Sequence, residues 1–166
     1  MSKPKKGRRK PSRPSGAELD GKLQVLRGPA ARRYPLLYVG KAGDVGFNLT
    51  CVRYTIIMPG PDLPPTELPV DLRVKLPRGV SAMIWPRSST AVKYPSLLLC
   101  QAPIDNGYTG PIGPRFKNLG TEPVVVEAGA ALAQLVLYAS VVPDVVEVEE
   151  LPETERGETR FGSTGR

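Results

Sequence analysis

The chain has 166 residues, with 23 Lys or Arg against 16 Asp or Glu and a formal charge of +7. That length suits one domain with a substantial core, and no apolar run approaches the length of a membrane span. The absence of histidine excludes Ser-His and Cys-His nucleophilic catalysis and the common zinc sites, so carboxylates, arginines and a bound metal are left to carry any chemistry.

The first fourteen residues, MSKPKKGRRKPSRP, hold seven of the basic residues and no acid. The other 16 basic residues balance the 16 acidic ones, so the domain has no surplus of charge to spread over a nucleic-acid-binding face. The leader lacks the apolar stretch of a secretion signal. It reads as an import signal, a non-specific phosphate-binding arm or a solubilising tail, and residues 1–20 are expected to lie outside the core as a disordered basic tail. Cys51 and Cys100 offer neither a metal-ligand spacing nor a disulfide framework. A reducing compartment, cytoplasm or nucleus, is expected.

From 21 to 150 no long amphipathic helix is legible. Short runs rich in Val, Ile, Leu and Tyr are punctuated by Pro and Gly, and the strand candidates are 34–40, 47–60, 80–86 and 96–104. Residues 69–77 alternate, with Val70, Leu72, Val74 and Leu76 on one face and Asp71, Arg73 and Lys75 on the other. In 122–142 the break at Gly129 and the β-branched flanks favour two strands around a turn. The pattern predicts an all-β sandwich or barrel, with the β domain over 21–150 and residues 151–166 as a mobile arm.

Four segments could carry chemistry. PRSSTA (86–91) places Arg87, Ser88 and Ser89 at a strand end, where an arginine can hold phosphate oxygens; a solvated turn is the plainer reading. APIDNGYTG (102–110) reads as a hairpin around an Asn-Gly turn, with Asp105 either capping that turn or, beside Tyr108, orienting a water or a hydroxyl. Gln134 is a lone amide in the apolar run GAALAQLVL (129–137), so it is either buried with partners or facing a site. The ending RGETRFGSTGR (156–166) combines arginines, glycines, hydroxyls and one aromatic. It is either a solvated tail or a lid in which glycines turn backbone N–H groups toward an anion and Phe161 stacks on a planar ring.

Together these pieces, in this order, resemble the five motifs of the homotrimeric dUTP pyrophosphatases (dUTPases). VGFNL (45–49) is similar to A-G-Y-D-L, PRSS (86–89) to P-R-S-G, and APIDNGYTG to G-V-I-D-x-x-Y-x-G. GAALAQL (129–135) is similar to G-x-R-I-A-Q-L, and RGETRFGSTG (156–165) to R-G-x-G-G-F-G-S-T-G. The resemblance spans residues 40–166. It implies a jelly-roll-like β domain with flexible terminal arms, assembled as a trimer with active sites between subunits, that hydrolyses dUTP to dUMP and pyrophosphate.

By that resemblance Asp105 orients the water that attacks the α-phosphorus, and Tyr108 packs on the deoxyribose and excludes a 2′-hydroxyl. Arg87, Ser88, Ser89 and Gln134 serve the phosphate side. Phe161 of the closing arm stacks on uracil, while Arg156, Gly162, Ser163 and Thr164 hold the phosphates. Magnesium is implied as a cofactor held mainly by the substrate phosphates, with Asn48 near it through water. Asn48 stands where an aspartate is usual, and Asp44 is a candidate to compensate. Ser89 replaces a glycine, Ala131 an arginine, and Thr159 and Arg160 two glycines. These departures and the basic leader suggest a divergent viral member, working in a host nucleus. Two rival readings are a catalytically weak dUTP-binding regulator of the same fold and a dCTP deaminase. The deaminase needs an arginine at the position of Val92 and a glutamate base.

Overall fold

The computed structural model describes Leu19 and residues 21–154. The basic tail, apart from Leu19, and Arg156, Phe161, Gly162, Ser163 and Thr164 lie outside the described residues. In chain order the strands are β1 (Gln24–Arg27), β2 (Gly46–Leu49), β3 (Thr55–Ile57), β4 (Thr66–Glu67), β5 (Leu72–Lys75) and β6 (Val80–Pro86). After a six-residue helix, Ser88–Lys93, come β7 (Leu97–Leu99), β8 (Pro111–Ile112), β9 (Arg115–Asn118), β10 (Val124–Val126) and β11 (Ala133–Ala139). They form the antiparallel sets β1-β5-β8, β10-β3, β2-β11-β6 and β4-β9-β7. Almost every pairing joins strands far apart in the chain. The result is the all-β fold that the residue patterns predict, of the jelly-roll type that the resemblance implies.

The alternation read in 69–77 is the clearest link from sequence to packing. Val70, Leu72, Val74 and Leu76 are all buried, whereas Asp71 and Arg73 are exposed. They meet Leu49, Ile84, Phe116, Val126 and Leu135 in one core cluster, where each large side chain contributes about 1.5–3 kcal/mol relative to exposure. Ahead of β5, Asp71 takes a left-handed conformation (φ 52). Its carboxylate accepts the backbone N–H groups of Ala30 at 2.9 Å and Ala31 at 3.4 Å. It lies against Gly28, where any Cβ would overlap it; this contact explains why the chain has glycine there.

Several expectations are met in detail and others are corrected. Residues 80–86 form β6 over their full length, and 47–60 divides into β2 and β3. Residues 122–142 give β10 and β11 around Gly129, which has φ 94, but the two strands pair with different partners rather than with each other. Residues 34–40 form no strand. Pro35 has no N–H to offer a ladder, and the segment meets β2 through one bond, Asn48 N–H to the Tyr38 carbonyl at 3.0 Å. Within 96–104 only Leu97–Leu99 is a strand, followed by an isolated bridge between Ile104 and Ala82. Strands β4 and β8, two residues each, carry no periodic signal, and β1 (QVLR) and β9 (RFKN) mix charge with apolar residues. Beyond β11, residues 141–154 form no strand and are exposed.

Asn118, only 1% exposed, ties two of these sheets together. Its amide donates to the Ile57 carbonyl at 3.1 Å and to the Glu122 carbonyl at 2.7 Å, and its side-chain oxygen accepts the Gly120 N–H at 3.0 Å. Replacing it with leucine leaves buried carbonyls unpaired, which costs about 1–3 kcal/mol for each group stranded. Asn118→Leu is therefore expected to lower the denaturation midpoint in urea without changing the slope of the transition.

Candidate active site

The phosphate-side residues predicted from sequence are carried by the sheet β2-β11-β6. Its register sets Gln134 directly across from Asn48 on one side and from Trp85 on the other. Facing pairs share one side of a sheet, so Asn48 and Gln134 point the same way. Gln134 is half-buried, and its amide leans over Gly46, where a Cβ would collide with it. Its Nε2 donates to the Pro86 carbonyl at 3.4 Å, so this lone amide is partly buried with a partner and also lines a cavity. Gly40, Gly43, Asp44, Val45 and Gly46 join Asn48, Arg87, Ser88 and Gln134 around a polar cavity of about 400 Å³.

Arg87 sits where β6 gives way to the helix. Its backbone N–H donates to the Leu132 carbonyl at 3.0 Å, and its guanidinium Nη1 donates to the Ala131 carbonyl at 3.1 Å. Thr90 Oγ1, buried one turn on, donates to the same Leu132 carbonyl at 2.7 Å. The arginine is thus braced by main chain while other N–H groups of its fork remain for a ligand. PRSSTA is therefore a braced helix start and not a solvated turn. Ser88 lines the cavity, but Ser89, exposed on the helix, does not. Asp44 shares the cavity with Asn48. Its Oδ2 accepts the Lys41 N–H at 2.8 Å and closes the turn over 41–44.

Asp105 and Tyr108 occupy a second cavity, of about 160 Å³, with Cys100, Gln101, Ile104 and Arg115. The segment makes a turn but not the expected two-stranded hairpin. Ile104 bridges to Ala82 of β6, exchanging both backbone bonds at 2.7 and 3.0 Å, while Pro111–Ile112 leaves to pair with β5. The two flanks are claimed by different sheets and so do not pair with each other. The turn closes through the Asp105 carbonyl, which accepts the Tyr108 N–H at 3.0 Å. Its carboxylate plays no capping part: among the described residues it has no hydrogen-bond or ion-pair partner. Tyr108 folds back over Gly110, where a Cβ would collide with its phenol, and its hydroxyl donates to the Pro111 carbonyl at 2.8 Å.

No lining residue is common to the two cavities. A larger one, about 780 Å³, opens among Arg27, Arg53, Asp71, Arg73 and the ends of β5 and β8. It contains none of the motif residues. Among the described residues no three Asp, Glu, Cys or His side chains cluster as a metal cage. The oxygen-bearing side chains of Asp44, Asn48 and Gln134 around the polar cavity instead suit the water shell of a hard cation whose direct ligands come from elsewhere. Among the described residues no helix is long and apolar enough to cross a membrane.

Comparison with known proteins identifies the family. The dUTPase family model matches residues 32–165, a span that includes the closing RGETRFGSTG. A deoxyuridine 5′-triphosphate nucleotidohydrolase of Clostridium novyi is 39% identical over 124 residues, 74% of this chain and 85% of that protein. A mutant dUTPase of Staphylococcus bacteriophage 80alpha, solved with dUpNHpp, superposes with a TM-score of 0.75 at 24% identity, over 88% of this chain and 99% of that one. A phage phi11 dUTPase mutant, solved to show coordination of a structural Mg(II) ion, has a TM-score of 0.69 at 22% identity, over 78% and 98%. With its β fold, its ordered motifs and a family match over most of its length, the chain belongs to the dUTPase family.

Proposed function

We propose that this protein hydrolyses dUTP to dUMP and pyrophosphate at sites shared between the subunits of a homotrimer. The observation that carries the reading is the Asp105 carboxylate beside Tyr108, without a partner among the described residues, in a cavity separate from the one that gathers Arg87, Ser88 and Gln134. One protomer presents the base and sugar end and another the phosphate end. The apolar strip of Val141, Val142, Val145, Val146 and Val148, each more than half exposed, supports a partner surface in the assembly.

In this reading a water lies between Asp105 and the α-phosphorus. The carboxylate accepts the water's proton as its oxygen bonds to phosphorus, and the bond from phosphorus to the α,β-bridging oxygen breaks to release pyrophosphate. Arg87 and Ser88 hold phosphate oxygens, and Gln134 supplies an amide beside them. Tyr108, held back by its bond to Pro111, fills the space a ribose 2′-hydroxyl would need. Magnesium, when bound, neutralises charge on the triphosphate; Asp44, Asn48 and Gln134 would meet its water shell. The arm 151–166 closes over the substrate, with Phe161 on the uracil and Arg156, Ser163 and Thr164 on the phosphates. Binding both ends before closure excludes stray water. The basic leader serves nuclear import or partner binding, a role that deletion of residues 1–14 separates from catalysis. The deaminase alternative finds no support: Val92 is 82% exposed on the short helix and brings no cation to the site.

Three measurements test this reading. Pyrophosphate release with magnesium is expected from dUTP but not from dCTP, dTTP or UTP, and Asp105→Ala should reduce it by at least about a hundredfold; tight dUTP binding without turnover would instead favour the regulatory protein. Light scattering of the full chain should give the mass of a trimer, and a monomer that turns over dUTP would refute the shared site. Gly110→Ala crowds the Tyr108 ring and is expected to erode the preference for dUTP over UTP by roughly tenfold, the scale of one altered pocket contact, read from the ratio of kcat/KM values.

A further inference from the structure

The Asn-Gly pair inside APIDNGYTG invites explanation as a turn former, because a two-residue type I′ turn needs positive φ at both centres, which Asn and Gly tolerate best. The backbone rules this out. Neither Asn106 nor Gly107 has positive φ, so the turn does not demand asparagine, and some other property of that side chain must explain it.

Its contacts supply one. The Asn106 amide Nδ2 donates both to the Pro77 carbonyl and to the Val80 carbonyl, the latter at 2.9 Å. These carbonyls bound the β5–β6 corner, itself closed by the Val80 N–H on the Pro77 carbonyl at 3.2 Å and turned at Gly79 with φ 70. One –NH₂ group has two hydrogens, and here each has a carbonyl. Serine could satisfy one acceptor only, and aspartate would set acceptor against acceptor. A third bond comes from the other direction: Lys75 Nζ, from the end of β5, donates to the main-chain carbonyl of Asn106 at 2.9 Å. All three bonds are partly buried, where such contacts hold better than in open water.

The consequence falls on the residue between two anchors. On one side of Asp105, Ile104 is bridged to Ala82; on the other, Asn106 is pinned by its side chain and its carbonyl. Asp105 has nothing holding its own carboxylate among the described residues, so the direction of that carboxylate is inherited from the backbone on either side. A base that must aim a water in line with a phosphorus needs placement within about half an ångström, and a 1 Å misplacement can cost about a hundredfold in rate.

We infer that Asn106 is a positioning residue for Asp105, fastening the catalytic turn to the β5–β6 corner, with Lys75 as the second fastener. The inference rests on the proposed role of Asp105 in dUTP hydrolysis. Its signature is a split between rate and binding, because the clamp orients the carboxylate without touching the phosphate-side cavity. In full-length protein with magnesium, Asn106→Ala should lower kcat for dUTP by about ten- to a hundredfold, while KM and the affinity for dUpNHpp stay within about twofold. Asn106→Asp should be at least as impaired, and Asn106→Gln, which keeps the two-hydrogen donor, should recover part of the rate. Lys75→Met cuts the tie to the carbonyl alone and should lower kcat in the same direction with the thermal midpoint nearly unchanged, so the idea can still fail should the Asn106 variants not fold. Wild-type kcat in Asn106→Ala, or equal losses of rate and dUpNHpp affinity, overturns the inference and leaves the hydrolase intact. Absence of dUTP turnover by the unaltered chain overturns both.

Discussion

Strand β11 is paired along both edges, and the rest of the site depends on that register. Ala133, Gln134 and Leu135 face Leu49, Asn48 and Phe47 on one side and Pro86, Trp85 and Ile84 on the other. A shift of one residue would turn Gln134 into the core and Leu135 out to solvent, since side chains alternate with period two. Burial opposes the slip: Ala133 and Leu135 have no exposed surface and Leu49 only 1%. The same register brings the end of β6 beside Leu132, whose carbonyl receives both the Arg87 N–H and the Thr90 hydroxyl. Apolar packing thus determines where a guanidinium, an amide and a hydroxyl converge.

The two cavities that hold the motif residues are supported differently. The cavity around Arg87, Ser88 and Gln134 is built on sheet, with glycines at 40, 43 and 46 in its lining and Gln134 lying over Gly46. The Asp105 side is a turn held by contacts that reach across the fold to Pro77, Val80 and Lys75. A sheet resists displacement through its many ladder bonds. A turn needs separate fasteners, and a few well-placed ones suffice because its flanks already belong to different sheets. That arrangement leaves the Asp105 carboxylate without a partner among the described residues, as the proposed role of activating a water requires.

Much of this was legible in the residues. The alternation in 69–77 and the apolar run 80–86 predicted β5 and β6, and the motifs named side chains that the fold gathers around two cavities. Arg87, Ser88 and Gln134 do share a cavity, and Asp105 and Tyr108 do share another. The misses have a common cause. Residues 34–40 look like a strand because they are apolar and aromatic, yet Pro35 has no N–H to offer and only one backbone bond joins them to the open edge of β2. Strands β4 and β8 are two residues long and exist only because β9 and β5 offer them an edge. Strand propensity describes a fit to a half-buried pleated surface, so it fails where the neighbour and not the residue decides.

By itself, then, the sequence determined the class of fold and the chemical inventory. Period-two alternation, turn residues and the absence of histidine are local properties, and the ordered motifs state which groups are present. Tertiary structure decided the partners: that the Asn-Gly turn does not close a hairpin, that Ser89 lies away from the cavity reached by Ser88, and that an asparagine amide spans 26 and 29 residues to grip the corner beneath Asp105. Those outcomes depend on which edges meet across the core. Strand pairing is non-local, and backbone donors and acceptors are the same at every residue, so only the completed fold selects among them.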